Sequence, residues 1–272
     1  MFGLMGTVLR LARLRATLGY EWHIHASTKA LAYGMREELH YLQPDRVWKE
    51  IEKVLALTTS HLFFESLFEL GVLDVVFPSI YRLTTLKEGT KHHREASLFM
   101  HTMMVLQALQ NESPLLKLSA LYHDIAKPQC YRQYGNGSGH EAKERVEPLI
   151  DMQLPVKLKN RMLFLIDNHT RVSKLHEMRA SKVATFFEGF KKDKTLLLEL
   201  LQLNRADNLG RISDEAKQDI DKETIVSTFE AIASYSPKAW INAQENTPNG
   251  EAIAQHVHKH NIGIVEQLFF QS

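Results

Sequence analysis

Cysteine is nearly missing from this 272-residue chain: Cys130 stands alone, which excludes an internal disulfide and a multi-cysteine zinc site and points to a reducing cytoplasm. No run approaches the ~18 apolar residues that a membrane span requires, so no membrane partner is expected. An excess of either charge is also lacking. The 33 Lys and Arg balance 32 Asp and Glu for a net charge of +1, giving no general pull toward nucleic acid or anionic lipid, although a local basic patch remains open. Internal repeats and low-complexity tracts are absent. The opening "MFGLMGTVLRLARLRATLGY" interrupts its apolar residues with Arg10, Arg13 and Arg15, so it lacks the apolar core of a signal peptide. A basic amphipathic helix there either presents a solvated face or touches RNA or a membrane surface.

What is present is ordinary for a globular domain, with 44% apolar and 24% charged residues, apart from fourteen histidines. Helix punctuation recurs along the chain. Pro44 opens "PDRVWKEIEKVLAL", where Val47, Ile51, Val54 and Leu55 repeat at helical spacing. Ser60 is placed to cap "HLFFESLFEL", and Gly71 falls where a left-handed C-cap is wanted. Ser113-Pro114, Pro155 and Asp193 each precede a further apolar-periodic segment. Strand-like alternation is short, so the expected fold class is all-α. "YGNGSGHE" is too glycine-rich for regular structure and reads as a mobile loop. A boundary is expected around "YRLTTLKEGTKHHRE", where periodicity lapses.

A divalent ion needs neutral imidazoles and ionised carboxylates converging from several elements. His101 lies in the apolar "LFMHTMMVLQAL", His123 and Asp124 end "SALYHD", and Asp207 ends another apolar helix in "NRADNLGR". These four make one site. His140 in "GSGHEA" and His169 in "IDNHTR" would supply a second ion or meet a phosphate beside the first. Singly each is weak: a histidine on an apolar helix is commonly a satisfied core residue, and Asp207 or His169 would serve equally as helix-end residues. Their joint placement, at helix ends or on apolar faces, is what favours a metal centre. His92-His93 and "HVHKH" (256–260) look like surface histidines.

The segments "HT" (101–102), "LYHDIAKP", "GHE" (139–141), "NH" (168–169) and "RADNLGR" closely resemble the HD metal-dependent phosphohydrolase domain fused to bacterial CCA-adding tRNA nucleotidyltransferases. Upstream, "VLRLARLRATLGY", "LQPDRVWKEIEKVL" and "FFESLFELGVLDVVFPSI" resemble the helical neck of those enzymes, a region described as RNA-binding; "GEAIAQHVHKHNIGIVEQL" resembles their closing helices. The resemblance implies residues 1–88 as a neck-like RNA-binding region, 89–213 as an HD domain and 214–272 as a C-terminal helical region. The nucleotidyltransferase head, with its glycine-rich nucleotide loop and paired aspartates, has no counterpart here. Where the family's neck selects the incoming nucleotide with an acidic pair and an arginine, this chain has Gly3, Leu4 and Thr7, so no nucleotidyltransferase activity is expected of it. Ala126 stands where the family often has glycine.

The activity implied is metal-dependent hydrolysis of phosphoesters on nucleotides or RNA ends, of the 2′,3′-cyclic phosphodiesterase, nucleotidase or phosphatase type. Asp124 would hold or bridge one or two ions (Mn, Fe, Co, Ni, Zn or Mg), and Lys127 would meet the phosphate oxygens unless it serves only its helix end. Of Arg205 and Arg211, which flank Asp207, one would reach substrate and the other hold a ligand carboxylate. The alternative is a non-catalytic tRNA- or RNA-binding module, or a fragment of a CCA-adding nucleotidyltransferase. Expected partners are a nucleotide or phosphorylated small molecule, with tRNA or other RNA under either reading.

Overall fold

The computed structural model describes residues 2–86, 97–212 and 221–270. Helices dominate and no strand occurs among these residues, an all-α fold. None of the described helices is long and apolar enough to cross a membrane. His92-His93, most of the charged segment beyond Leu86, and the side chains of Gly3 and Leu4 lie outside the described residues. The chain forms two compact units, 1–169 with 202–217, and 170–201 with 218–272.

The first unit runs through α1 (Phe2–Leu18), α2 (Ala26–Gly34), α3 (Arg36–Leu39), α4 (Pro44–Leu55), α5 (His61–Glu69), α6 (Leu73–Val76), α7 (Pro78–Arg82), α8 (Leu98–Ala108), α9 (Pro114–Tyr122), α10 (Lys127–Tyr134), α11 (Lys143–Val146) and α12 (Val156–Asn168). Helix α1 packs on α5 and α4 through Val8, Leu9, Ala12 and Ala16, all buried; the two alanines, one turn apart, let the backbones approach closely. Its basic face is partly used internally. Arg13 pairs with Glu50 at 2.8 Å and Arg15 donates to the Gly19 carbonyl, while Arg10 is exposed.

The expected α4 forms with Pro44 in its first turn, and Val47, Ile51, Val54 and Leu55 are all buried. Gly71 is left-handed at φ +67, and the Val72 N–H reaches back to the Leu67 carbonyl at 3.0 Å, closing the end of α5. Ser60 departs from expectation. Its own backbone is already helical and it makes no capping bond, because the preceding turn supplies the entry: the Leu62 N–H bonds to the Thr59 carbonyl. Ser113 does cap α9, accepting from the Leu116 N–H at 3.3 Å, with Pro114 behind it.

Helix α9 is the central element of the site, buried along its whole length and packed on α8, α12 and α4. It carries Lys117, only 2% exposed. The ammonium reaches the last carbonyls of α4, Leu55 O at 3.0 Å and Leu57 O at 2.7 Å, which satisfies acceptors the helix leaves open. Burial pulls its pKa down from the usual lysine value.

The second unit contains α13 (Ala180–Glu188), the first part of α14 (Lys194–Leu209), α15 (Lys222–Ser234), α16 (Lys238–Asn242) and α17 (Gly250–Leu268). Helices α13, α15 and α17 pack together around Phe187, Phe190, Phe229 and Phe269, each nearly inaccessible. Asp193 caps as expected, accepting from the Leu196 N–H at 2.9 Å. The "HVHKH" histidines are not free surface groups. His256 stacks on Trp240 at 4.1 Å and bonds the Tyr235 hydroxyl at 2.8 Å, His260 stacks on Tyr235 at 3.6 Å, and His258 pairs with Glu188 at 3.0 Å. Spacing of one turn puts residues 256 and 260 on one face, so both rings meet the same aromatic neighbourhood.

Candidate metal centre

Five stretches of the first unit bring the candidate ligands together. His101 is midway along α8, His123 and Asp124 follow α9, His140 sits in the turn before α11, His169 follows α12, and Asp207 lies in the last two turns of α14. All six are buried, none more than 7% exposed. The two groupings that could hold an ion share Asp124: His101 with His123, and His140 with His169.

Each imidazole is aimed by its own backbone environment. His123 Nδ1 lies 2.7 Å from the Ala120 carbonyl, His140 Nδ1 2.7 Å from Gly137 O, His169 Nδ1 2.6 Å from Ile166 O, and His101 Nδ1 3.1 Å from Gly210 O. A carbonyl oxygen can only accept, so all four Nδ1 atoms carry hydrogen and the tautomer is fixed. The Nε2 atoms are left to face the carboxylates. This is the outer support expected behind metal-binding histidines.

The Nε2 atoms and carboxylate oxygens crowd into two sets. His101 Nε2 lies 3.1 Å from Asp207 Oδ1, 3.7 Å from Asp124 Oδ2 and 3.2 Å from His123 Nε2, which is itself 3.2 Å from Asp124 Oδ2. On the other side, Asp124 Oδ1 is 2.9 Å from His140 Nε2 and 4.0 Å from His169 Nε2. Ligands about 2.1 Å from an ion stand roughly 3.0 Å apart at right angles and about 3.4 Å apart in a tetrahedron. The first set fits that spacing. Two buried atoms, Asp124 Oδ2 and His140 Nε2, make no hydrogen bond among the described residues even though ion-pair partners lie close, the misalignment expected of atoms directed at a common point rather than at each other.

Electrostatics agree with a cation. Burial opposes charge on both carboxylates, yet His123 and Lys127 hold Asp124, and His101, His123 and Arg211 hold Asp207, well below the usual carboxylate range. Burial likewise opposes charge on His123, but Asp124 and Asp207 outweigh it and push the imidazole up to about 10. His169, desolvated and beside His123, is pushed down to about 4. Without an ion, one proton on His123 thus relieves the mutual repulsion of the carboxylates.

Lys127 Nζ sits 2.8 Å from Asp124 Oδ2, and Arg211 pairs with Asp207 Oδ2. Arg205 is not brought to the cluster. It is exposed and in no ion pair with it, because two residues along a helix turn through about 200°, away from Asp207. The glycine-rich segment is tied down more than its composition suggests: Arg145 donates to the Ser138 carbonyl at 3.1 Å and to the Gly139 carbonyl at 3.2 Å.

Residues that sequence reasoning missed lie behind the ligands. Asn204 donates to the His169 carbonyl at 3.0 Å; its signal was an asparagine one turn before Asp207 on an apolar helix. Gly210 lets α14 meet α8, since a Cβ there would lie 2.5 Å from Val105 Cγ2 and 3.1 Å from the Val105 nitrogen.

Residues 22–83 match the family model described as "Probable RNA and SrmB- binding site of polymerase A". The chain is also 31% identical over 229 residues to the "Multifunctional CCA protein" of Haemophilus influenzae (strain PittGG), an alignment covering 77% of this chain and 55% of that protein. It therefore spans about half the length of the curated relative it matches. These two likenesses relate the chain to a region of CCA-adding proteins.

Proposed function

We propose that this chain is an RNA-contacting helical module that carries a metal-dependent phosphohydrolase centre of the HD type. The observation that carries the catalytic part is the set of four imidazoles, each fixed through Nδ1 to a backbone carbonyl, with their Nε2 atoms facing two buried carboxylates. His101, His123, Asp124 and Asp207 would hold one divalent ion, and Asp124 with His140 and His169 a second. A bound ion supplies Lewis acidity toward a phosphoryl oxygen and lowers the pKa of water to near 7. Lys127, 12% exposed at its side chain and 2.8 Å from Asp124, orients that carboxylate and offers its remaining N–H groups to the non-bridging oxygens of a phosphoester. Arg211 fixes Asp207 from outside. Arg205, on the outer face of α14, reaches only a substrate long enough to extend past the cluster.

The substrate class is phosphoesters on nucleotides or RNA ends, turned over without any nucleotidyltransferase step. The functional segments are 1–88 for RNA contact, 89–213 for the metal centre and 214–272 as a helical extension. The expected outcome is divalent-dependent turnover of 2′,3′-cyclic AMP and a chromogenic phosphodiester, abolished in Asp124→Ala. Turnover that persists undiminished in excess chelator would falsify the catalytic part.

A separate observation favours RNA contact. Within the matched 22–83 segment, Trp22, Tyr33 and Tyr41 are 56%, 58% and 71% exposed, beside basic residues such as Lys29 and Arg46. Exposed rings stack on unpaired bases for about 1–3 kcal/mol each. Trp22→Ala and Tyr41→Ala are expected to weaken a tRNA gel shift by roughly tenfold or more, and unchanged binding in both would remove this reading. An inactive metal centre with an intact, salt-sensitive shift would mark a binding module alone.

A further inference from the structure

The turn that carries the metal-site residues has a second face. Asp124 and Lys127 point into the cluster, whereas Ile125 and Pro128 line a separate pocket of about 270 Å³, closed by Ser79, Arg82, Gln129, Arg132 and Leu149. The Lys127 N–H bonds back to the Asp124 carbonyl at 3.0 Å. This tight turn sends neighbouring side chains to opposite sides.

Arg82 ends α7 and Arg132 lies on α10, so two guanidinium groups reach one pocket from different elements. Neither makes a hydrogen bond or ion pair through its guanidinium among the described residues. One acid is near enough to interact with Arg82. That is Asp151, whose carboxylate accepts from the Ser79 N–H at 3.1 and 3.3 Å, and which is not among the lining residues. Ile125, Pro128 and Leu149 give the pocket apolar walls, where an anion and a guanidinium attract more strongly than in open water. Ser79 and Gln129 add neutral polar groups. The volume far exceeds the ~30 Å³ share of one water molecule.

We propose that this pocket binds a phosphate group, gripped by the Arg82 and Arg132 forks, at a site distinct from the metal centre. Guanidinium forks match phosphate oxygens in pairs, and two forks on one group neutralise a charge that a single lysine-like contact would leave exposed. Ser79 and Arg82 also lie at the end of the 22–83 match, so the phosphate belongs either to an RNA backbone or to a free nucleotide or phosphate ion.

The test uses the full chain in excess chelator, which keeps a metal ion out of the result. Inorganic phosphate is titrated calorimetrically into the wild type, Arg82→Gln/Arg132→Gln and Arg82→Lys/Arg132→Lys, with melting curves to verify folding; both arginines are exposed, so the fold should persist. Wild-type binding weakened at least tenfold in the glutamine pair, and by less in the lysine pair, supports the site. Equal phosphate affinity in all three overturns it, as does absence of wild-type binding together with an unchanged RNA salt dependence. A single-stranded RNA titrated across salt concentrations separates the sources. An RNA occupant lowers the log–log slope of the glutamine pair by about 1.4, or roughly 0.7 per lost phosphate contact, and a free phosphate occupant leaves it unchanged while inorganic phosphate binding falls. Asp124→Ala should retain phosphate binding here, so failure of the hydrolase reading and failure of this site are distinguishable.

Discussion

Asp124 divides its two oxygens, Oδ2 toward His101, His123 and Lys127, and Oδ1 toward His140 and His169. Only a carboxylate can face two sets of nitrogen donors in this way, so Asp124→Asn should be as damaging as Asp124→Ala, because an amide presents one side with N–H groups where acceptors are needed. His123 supplies a proton-linked prediction. Its pKa, pushed up to about 10 from 6.5, means that charging it stabilises the ion-free fold fully below about 6.5, and that this contribution is lost as pH rises through about 10. A metal ion needs the same nitrogen unprotonated, so binding at pH 7 should release about one proton. Calorimetry in two buffers of different ionisation enthalpy measures that release. Binding with no proton release would remove His123 Nε2 from the ligand set.

At the scale of the helix, the site depends on how closely α14 approaches α8. Gly210→Ala places a methyl 2.5 Å from Val105 Cγ2, and relief requires moving the very carbonyl that orients His101. The expected outcome is a stability loss of about 1–3 kcal/mol together with at least a tenfold loss of metal affinity, partly recovered in Gly210→Ala/Val105→Ala. Denaturant melts and metal titrations check the two effects; a lowered stability with unchanged metal affinity would separate the contact from the site. This contact was illegible in the sequence, since "NLGR" reads simply as a helix end, and only the facing Val105 gives its glycine a packing role. Pro44, Ser113 and Asp193 were legible because their effects are local, acting on N–H groups within the next turn. Ser60 misled for the same reason in reverse, since a preceding turn had already begun the helix. Lys117 could not be read because its partners, Leu55 and Leu57, belong to a helix some sixty residues earlier.

For the whole molecule, the candidate ligands sit in five separate stretches, and the His101–Gly210 bond alone spans 109 positions. The order of the residue types along the chain was readable, whereas their convergence rests on long-range packing that no periodicity encodes. Because every candidate ligand belongs to the first compact unit, an ion binding them would stabilise that unit by about 2.7 kcal/mol at a hundredfold excess over its Kd. Protection should then rise where the ligands are anchored, in α8, α9 and the end of α12, and remain unchanged in α15 and α17, which contribute none. Hydrogen exchange with and without a saturating divalent ion reads both regions in one experiment. Uniform protection across all helices, or protection confined to the exposed histidines, would mean that the ion binds elsewhere, and the same comparison in Asp124→Ala should show no rise at all.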